Sequence, residues 1–178
     1  MFLCSYVVKK RNMKAQKENT LYSTTYKSPV GMLSIAASDK GIMAVSFEKK
    51  PHPLPLSKGE GRTHISKCVK QLDEYFSGKR KNFELEFDLH GTDFQKKVWK
   101  QLTKIPYGKT VSYGYIANKA GNAKASRAVG NANNKNCIAI VIPCHRVIGS
   151  NGKMVGYAGG LNKKEWLLKF EKDGSDNE

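Results

Sequence analysis

The sequence predicts an α/β (α+β) chain of two parts, an antiparallel sheet with a helix followed by a basic, mainly helical half. Three observations carry this. Short β-type runs separated by turn residues come first, and helical periodicity takes over after Leu89-His90-Gly91. Between Gly91 and Lys172 there are 15 Lys/Arg but only 3 Asp/Glu, which accounts for +12 of the net charge of +16. Positive charge concentrated in that way points to a polyanion, and a half that faces nucleic acid is the simplest reading. The 178 residues suffice for one domain or two small ones.

Residues 1–19 are polar and basic without periodicity and read as a tail. Residues 21–26, 32–37 and 42–47 are the β-type runs. Ser28-Pro29-Val30-Gly31 and Asp39-Lys40-Gly41 separate them, so a meander is expected. Residues 51–63 carry Pro51, Pro53, Pro55, Gly59 and Gly61 and read as a loop. Ile65, Val69, Leu72 and Phe76 then recur at helical spacing up to Gly78. Phe83, Leu85, Phe87 and Leu89 alternate with polar residues, which predicts a half-buried strand. The expected domains are 20–89 and 91–172, with 173–178 as a second tail.

In the second half, Thr92 and Gln95 form a capping-box pattern ahead of Phe94, Val98, Trp99 and Leu102. Ile105-Pro106-Tyr107-Gly108 ends that helix. Ser112 caps a short helix through Tyr115, Ile116 and Ala120, Gly121-Asn122 turns the chain, and a second helix runs through Ala125, Val129 and Ala132. Two short helices about a glycine turn, in the basic part of the chain, suggest a helix-turn-helix. Residues 137–142 are continuously apolar and read as a buried strand leading into Pro143-Cys144-His145-Arg146. A glycine-rich loop follows, and Asn162 with Glu165 would cap a last helix carrying Trp166, Leu167 and Phe170.

No apolar run is long enough to cross a bilayer. Residues 2–8 are too short for a signal core, and Lys9-Lys10-Arg11 lies on the wrong side of them, so a cytoplasmic protein is expected. Cys4, Cys68, Cys137 and Cys144 contain no CxxC pair and read as reduced thiols, with Cys137 buried and inert. A zinc site on Cys137, Cys144 and His145 lacks a fourth ligand and a usual spacing, so no metal is expected.

The chemistry points to Cys144. A thiol must lose its proton to attack carbon, and His145, Arg146 and the surrounding positive charge are the means at hand. A hydrolytic Cys-His pair is the competing class, but it needs an oxyanion site and an orienting residue that no segment marks.

Residues 142–148, Ile-Pro-Cys-His-Arg-Val-Ile, resemble the active-site signature of the O6-alkylguanine-DNA alkyltransferases, or methylated-DNA–protein-cysteine methyltransferases. Residues 91–95, Val98-Trp99, 105–108, 110–113, Arg127-Ala128-Val129-Gly130, 156–161 and 164–168 match in order and spacing. The resemblance thus covers 91–171, and residues 21–47 resemble the family's N-terminal domain. It implies a ribonuclease-H-like N-terminal domain and a winged-helix-type DNA-binding domain. It also implies an irreversible reaction, once per molecule, in which Cys144 takes an alkyl group from O6 of guanine. In that scheme His145 draws off the thiol proton through a water, Glu171 orients His145, Tyr113 donates to the leaving purine and Asn136 braces the turn before the cysteine.

The resemblance further implies a partner, double-stranded DNA containing O6-alkylguanine, bound by a monomer. Arg127 would fill the hole left by a flipped base, while Ala125, Ser126, Ala128 and Gly130 let the second helix approach the minor groove. The carbonyls of Cys144 and Val147 would read the base, and Tyr157, Ala158 and Gly159 would close over it. Asn136-Cys137 stands where Asn-Pro is common, and Ala158 replaces a serine found in some members. The alternatives are a non-catalytic lesion-sensing DNA binder and a regulatory DNA-binding protein in which Cys144 is structural or redox-sensing.

Overall fold

The structure, a computed structural model, describes residues 21–47 and 59–176. The expected N-terminal tail and residues 51–58 of the expected loop lie outside the described residues. The three β-type runs form the meander. Strands β1 (Tyr22–Ser28), β2 (Gly31–Ser38) and β3 (Gly41–Phe47) pair antiparallel in that order, with Thr24 opposite Ile35 and Ile35 opposite Val45. One face places Leu33, Ile35 and Val45 in the core.

Helix α1 (Glu60–Phe76) covers that face with Ile65, Cys68, Leu72 and Tyr75. It starts earlier than the glycines suggest, so residues 60–63 of the expected 51–63 loop are helical. Tertiary packing overrides local preference here: a Cβ on Gly61 would come within 2.1 Å of the Tyr22 ring, and only glycine lets the first turn lie on β1.

The strand expected over 83–89 does not form a ladder. The segment is extended and half-buries Phe83, Leu85, Phe87 and Leu89, but its backbone pairs with the sheet at a single parallel bridge among the described residues, between Ile42 and Phe87. The Gln71 side chain of α1 takes the place of a neighbouring strand. Its amide donates to the Glu84 carbonyl at 3.0 Å and its oxygen accepts from the Glu84 N–H at 2.8 Å.

Helix α2 (Asp93–Leu102) opens with both halves of the expected capping box, Gln95 N–H to Thr92 Oγ1 and Thr92 N–H to Gln95 Oε1. Strand β4 (Val111–Ser112) leads into helix α3 (Tyr113–Lys119), whose N-terminus Ser112 caps by accepting from the Tyr115 N–H at 3.1 Å. Helix α4 (Ser126–Asn134) completes the helix-turn-helix, and the Trp99 indole of α2 donates to the Ala132 carbonyl of α4 at 2.9 Å.

Residues 137–142 are buried or half-buried, but they form no strand. The chain makes a bridge between Ile138 and Val45 and then coils through successive turns, with Ile140 at φ 71°. Val45 N–H donates to the Cys137 carbonyl and Ala139 N–H donates to the Val45 carbonyl, both at 2.8 Å. The free edge of β3 thereby anchors the segment that delivers the cysteine, and one continuous core runs through both halves. Cys137 itself is half-buried rather than buried.

A single 3₁₀ turn, Cys144–Arg146, follows, and strand β5 (Val147–Ile148) pairs parallel with β4. This pairing ties the turn to the residue that caps α3. Helix α5 (Leu161–Ser175) begins after Gly160, so Asn162 and Glu165 lie inside it instead of capping it. It also runs past Glu171, and residues 173–175 of the expected tail are its last turn.

Candidate active site

The 3₁₀ turn sets Cys144, His145 and Arg146 within the core, at 7%, 0% and 4% exposure. Adjacent side chains would point apart in an extended segment, but the turn sends them to different partners. The Cys144 sulfur meets the Asn136 side-chain amide, which donates to it at 3.2 Å. The same amide donates to the Ile142 carbonyl at 2.9 Å, and Asn136 Oδ1 accepts from the Ile138 N–H at 3.0 Å. One side chain therefore holds the start and end of the coiled segment and touches the thiol two residues beyond it. Ile140, a β-branched residue in left-handed backbone, sits inside this brace; such a conformation costs about 1–3 kcal/mol and persists only where its surroundings fix it.

His145 Nε2 lies 2.9 Å from Glu171 Oε1, within α5 rather than at its end. The carboxylate is fully buried and supplied with donors. Arg146 Nε reaches Oε2 and Nη2 reaches Oε1, both at 2.8 Å, the Tyr75 hydroxyl donates to Oε1 at 2.7 Å, and the Gly108 N–H donates to Oε2 at 3.3 Å. Arg146 also donates through Nη1 to the Ile105 carbonyl at 2.6 Å. Its charge thus serves the glutamate instead of lying free beside the thiol, as the sequence suggested. Tyr75 is the member of this carboxylate cluster that sequence reasoning missed, and the local sign for it was an aromatic in a helix otherwise read as core.

These contacts fix protonation. Burial alone would raise the Glu171 carboxyl, but the hydrogen bonds and charges of His145 and Arg146 outweigh it and hold the group at about 2, below its ordinary 4.5. An ionised carboxylate only accepts, so the proton of neutral His145 sits on Nε2, and Nδ1, which has no hydrogen-bond partner among the described residues, carries the lone pair. Burial lowers the His145 pKa against the pull of Glu171, with Arg146 and Lys164 adding to the lowering. The imidazole is a neutral base near pH 7.

The Cys144 thiol departs from expectation. Burial raises its pKa, although the Asn136 amide and the Lys164 charge oppose the rise. The resting sulfur is therefore protonated, and deprotonation must be coupled to reaction. Lys164, also missed from sequence, is fully buried on α5. Its ammonium donates to the Val147 carbonyl at 2.7 Å and the Val155 carbonyl at 3.0 Å.

The Glu171 shift sets an acid limit. Because its folded pKa lies below the unfolded one, its contribution is complete above about pH 4.5 and is lost as pH falls towards 2. Urea midpoints measured from pH 6 to pH 3 are expected to fall, and to fall less in Glu171→Gln.

The remaining sequence candidates border this core. Tyr113 opens α3 half-buried, and its hydroxyl donates to the Val155 carbonyl at 3.2 Å. Arg127 and Ala128 are exposed at the start of α4, Ala125 and Ser126 are half-buried beside them, and Gly130 faces the Tyr113 ring. Val147 is buried; its N–H donates to the Cys144 carbonyl, so each carbonyl expected to read the base already accepts one donor. The Tyr157 ring lies edge-on to His145 at 6.4 Å, and its buried hydroxyl has no hydrogen-bond partner among the described residues. Ala158 is exposed. Gly159 lies against Phe47 of β3, where a Cβ would approach the ring to 2.6 Å, so only glycine lets the loop pack there.

Residues 93–173 match the model of the 6-O-methylguanine DNA methyltransferase DNA-binding domain, and residues 21–89 match that of the ribonuclease-like domain of the same family. A methylated-DNA–protein-cysteine methyltransferase of Methanosarcina acetivorans is 48% identical over 153 residues, which span 85% of this chain and 98% of the relative. One of Mycobacterium bovis is 44% identical over 159 residues, spanning 85% and 93%. The solved Mycobacterium tuberculosis OGT in complex with DNA superposes with a TM-score of 0.77 at 44% identity, covering 86% of this chain and 94% of that one.

Proposed function

The chain belongs to the 6-O-methylguanine DNA methyltransferase family, which makes it a DNA-binding enzyme of direct alkyl repair, and from that we propose that Cys144 is the acceptor, taking the group from O6 of an alkylated guanine. The observation that carries this is the arrangement of Cys144, His145 and Glu171. A protonated thiol braced by Asn136 is followed in the chain by an imidazole whose Nε2 is committed to an ionised carboxylate and whose Nδ1 is free to accept.

His145 Nδ1 takes the Cys144 proton through a bound water as the base arrives, and Glu171 supports the imidazolium that forms. The sulfur then attacks the alkyl carbon. The S–C bond forms as the C–O6 bond breaks, and the electron pair passes to the purine. Tyr113 leaves the Val155 carbonyl and donates to the purine ring, easing that charge. The product is a neutral thioether with no group able to release it, so each molecule reacts once. No cofactor takes part.

A base stacked in the duplex cannot reach the sulfur of a cysteine only 7% exposed, so it is flipped out. Arg127, exposed at the first turn of α4, fills the gap, and Ala125, Ser126, Ala128 and Gly130 allow close approach. Arg127→Ala is expected to slow transfer from duplex DNA about 10-fold or more while leaving transfer from the free O6-alkylguanine base much less affected, since unstacking costs a few kcal/mol. Parallel single-turnover assays check this. Val147, Tyr157, Ala158 and Gly159 border the base site. The protein acts as a monomer in the cytoplasm, where thiols stay reduced.

The test is to mix the protein with an oligonucleotide containing O6-methylguanine and to weigh it. Gain of one methyl group on the Cys144 peptide, absent in Cys144→Ala, is expected. Unmodified protein that still binds the oligonucleotide would instead identify a lesion-sensing binder.

A further inference from the structure

We propose that Tyr75, on helix α1 of the N-terminal half, is a positioning residue for the transfer reaction, setting through Glu171 how strongly His145 holds a proton. The inference rests on the reading of His145 as the base that takes the Cys144 proton.

Tyr75 is fully buried, and its hydroxyl donates to Glu171 Oε1 at 2.7 Å. That same oxygen lies 2.9 Å from His145 Nε2. The phenol is pushed well above its ordinary pKa by burial first and by the Glu171 charge second, so it donates at every accessible pH. Aromatic packing fixes its aim. The ring lies within 6.0 Å, centroid to centroid, of Phe76, Phe83, Tyr107 and Phe170. A tyrosine needed only for packing could have been phenylalanine, whereas this hydroxyl reaches across 96 residues of sequence to one particular carboxylate oxygen.

A carboxylate oxygen shared among donors pulls less strongly on each. Tyr75 draws electron density from Oε1 and presents the positive end of its O–H dipole there, which weakens the hold of Glu171 on the imidazolium. The other groups facing the pair act in known directions. Arg146 on the turn and Lys164 on α5 disfavour the imidazolium, and Glu171 favours it. Tyr107, Gly108 and Tyr157 complete the surroundings, the first and third as neutral phenols near the carboxylate and the second as a backbone donor. Tyr75 thus keeps His145 from trapping a proton before the base arrives. This would give the N-terminal domain, which carries none of the reacting groups, a direct part in the chemistry.

Two variants of the full chain test this. Tyr75→Phe removes the donor, and 3-fluorotyrosine at position 75 keeps the ring and its packing while making the phenol a stronger donor. The readouts are the nitrogen-15 NMR titration of His145 in the free protein and the pH profile of single-turnover methyl transfer. In Tyr75→Phe both the His145 midpoint and the acid limb of the rate are expected to move up by about half to one pH unit, about 3- to 10-fold in rate on that limb. The fluorinated protein is expected to move both down. An unmoved His145 titration in both variants overturns the proposal and leaves the Cys144–His145–Glu171 scheme standing. A His145 titration that moves while the acid limb stays put overturns it through its premise, because His145 would then not be the base. Loss of folding in Tyr75→Phe leaves the decision to the fluorinated protein, where an unshifted midpoint again overturns it.

Discussion

Glu171→Gln is expected to cost about 3–5 kcal/mol of stability, as breaking a buried ion pair does, and to slow methyl transfer by about 10²–10⁴-fold, the usual worth of a positioned proton acceptor. The amide is nearly the same shape, so the effect isolates charge. Arg146, 4% exposed, would keep its guanidinium against an uncharged group and have only the Ile105 carbonyl as a full acceptor. His145 would lose the partner that fixes its proton on Nε2, because a glutamine can present either its oxygen or its NH₂ there. An imidazole in the other tautomer has no lone pair at Nδ1 to offer Cys144. Urea unfolding and intact-protein mass after rapid mixing with O6-methylguanine DNA measure the two effects separately. Wild-type stability in this variant would mean that the carboxylate does not neutralise Arg146.

The second large effect is expected from Asn136→Ala, a loss of about 1–3 kcal/mol, the cost of orphaning a buried backbone group. That group is the Ile138 N–H, while the Ile142 carbonyl keeps the Cys144 N–H at 2.8 Å. Removing the amide also takes away a contact that lowers the Cys144 pKa, so the thiol becomes harder to deprotonate and transfer slows at every pH. Asn136→Asp separates the two roles. Its oxygen can still accept from Ile138 N–H, but it offers no donor to the sulfur and adds a negative charge beside it. Stability is therefore expected to lie between that of wild type and Asn136→Ala, while transfer falls below both. Transfer by Asn136→Asp at the wild-type rate would show that the 3.2 Å contact with the sulfur plays no part.

Both predictions concern groups whose importance could be guessed from sequence only through resemblance, and the physical reason is the same in each. Asn136 precedes a continuously apolar run that reads as a buried strand. The coil with Ile140 at φ 71° is held by the Asn136 side chain together with one bridge to Val45, rather than by a strand ladder. Glu171 lies on the last helix between Phe170 and Lys172, and nothing local marks it as buried. Burial arises because α5 packs over the 3₁₀ turn, a contact 25 residues distant in the chain. Arg146 was read as a charge for the thiol because it is adjacent in sequence, yet a 3₁₀ turn directs neighbouring side chains to different places.

Local signals were dependable where the structure they describe is itself local. The meander, the Thr92–Gln95 capping box, the Ser112 cap and the two short helices follow from turn residues, caps and periodicities spanning a few residues, and they stand as read. So does the charge asymmetry, which marks a DNA-facing half whatever the fold. By itself the sequence thus determined the class of fold and the polyanionic partner, and it singled out Cys144 as the candidate for chemistry. The tertiary structure alone decided that this cysteine rests as a thiol, that its neighbouring arginine serves a glutamate, and that a tyrosine from the other half completes the carboxylate's shell. Protonation and orientation in a buried cluster depend on desolvation and on partners brought from distant parts of the chain, and no window of adjacent residues contains either.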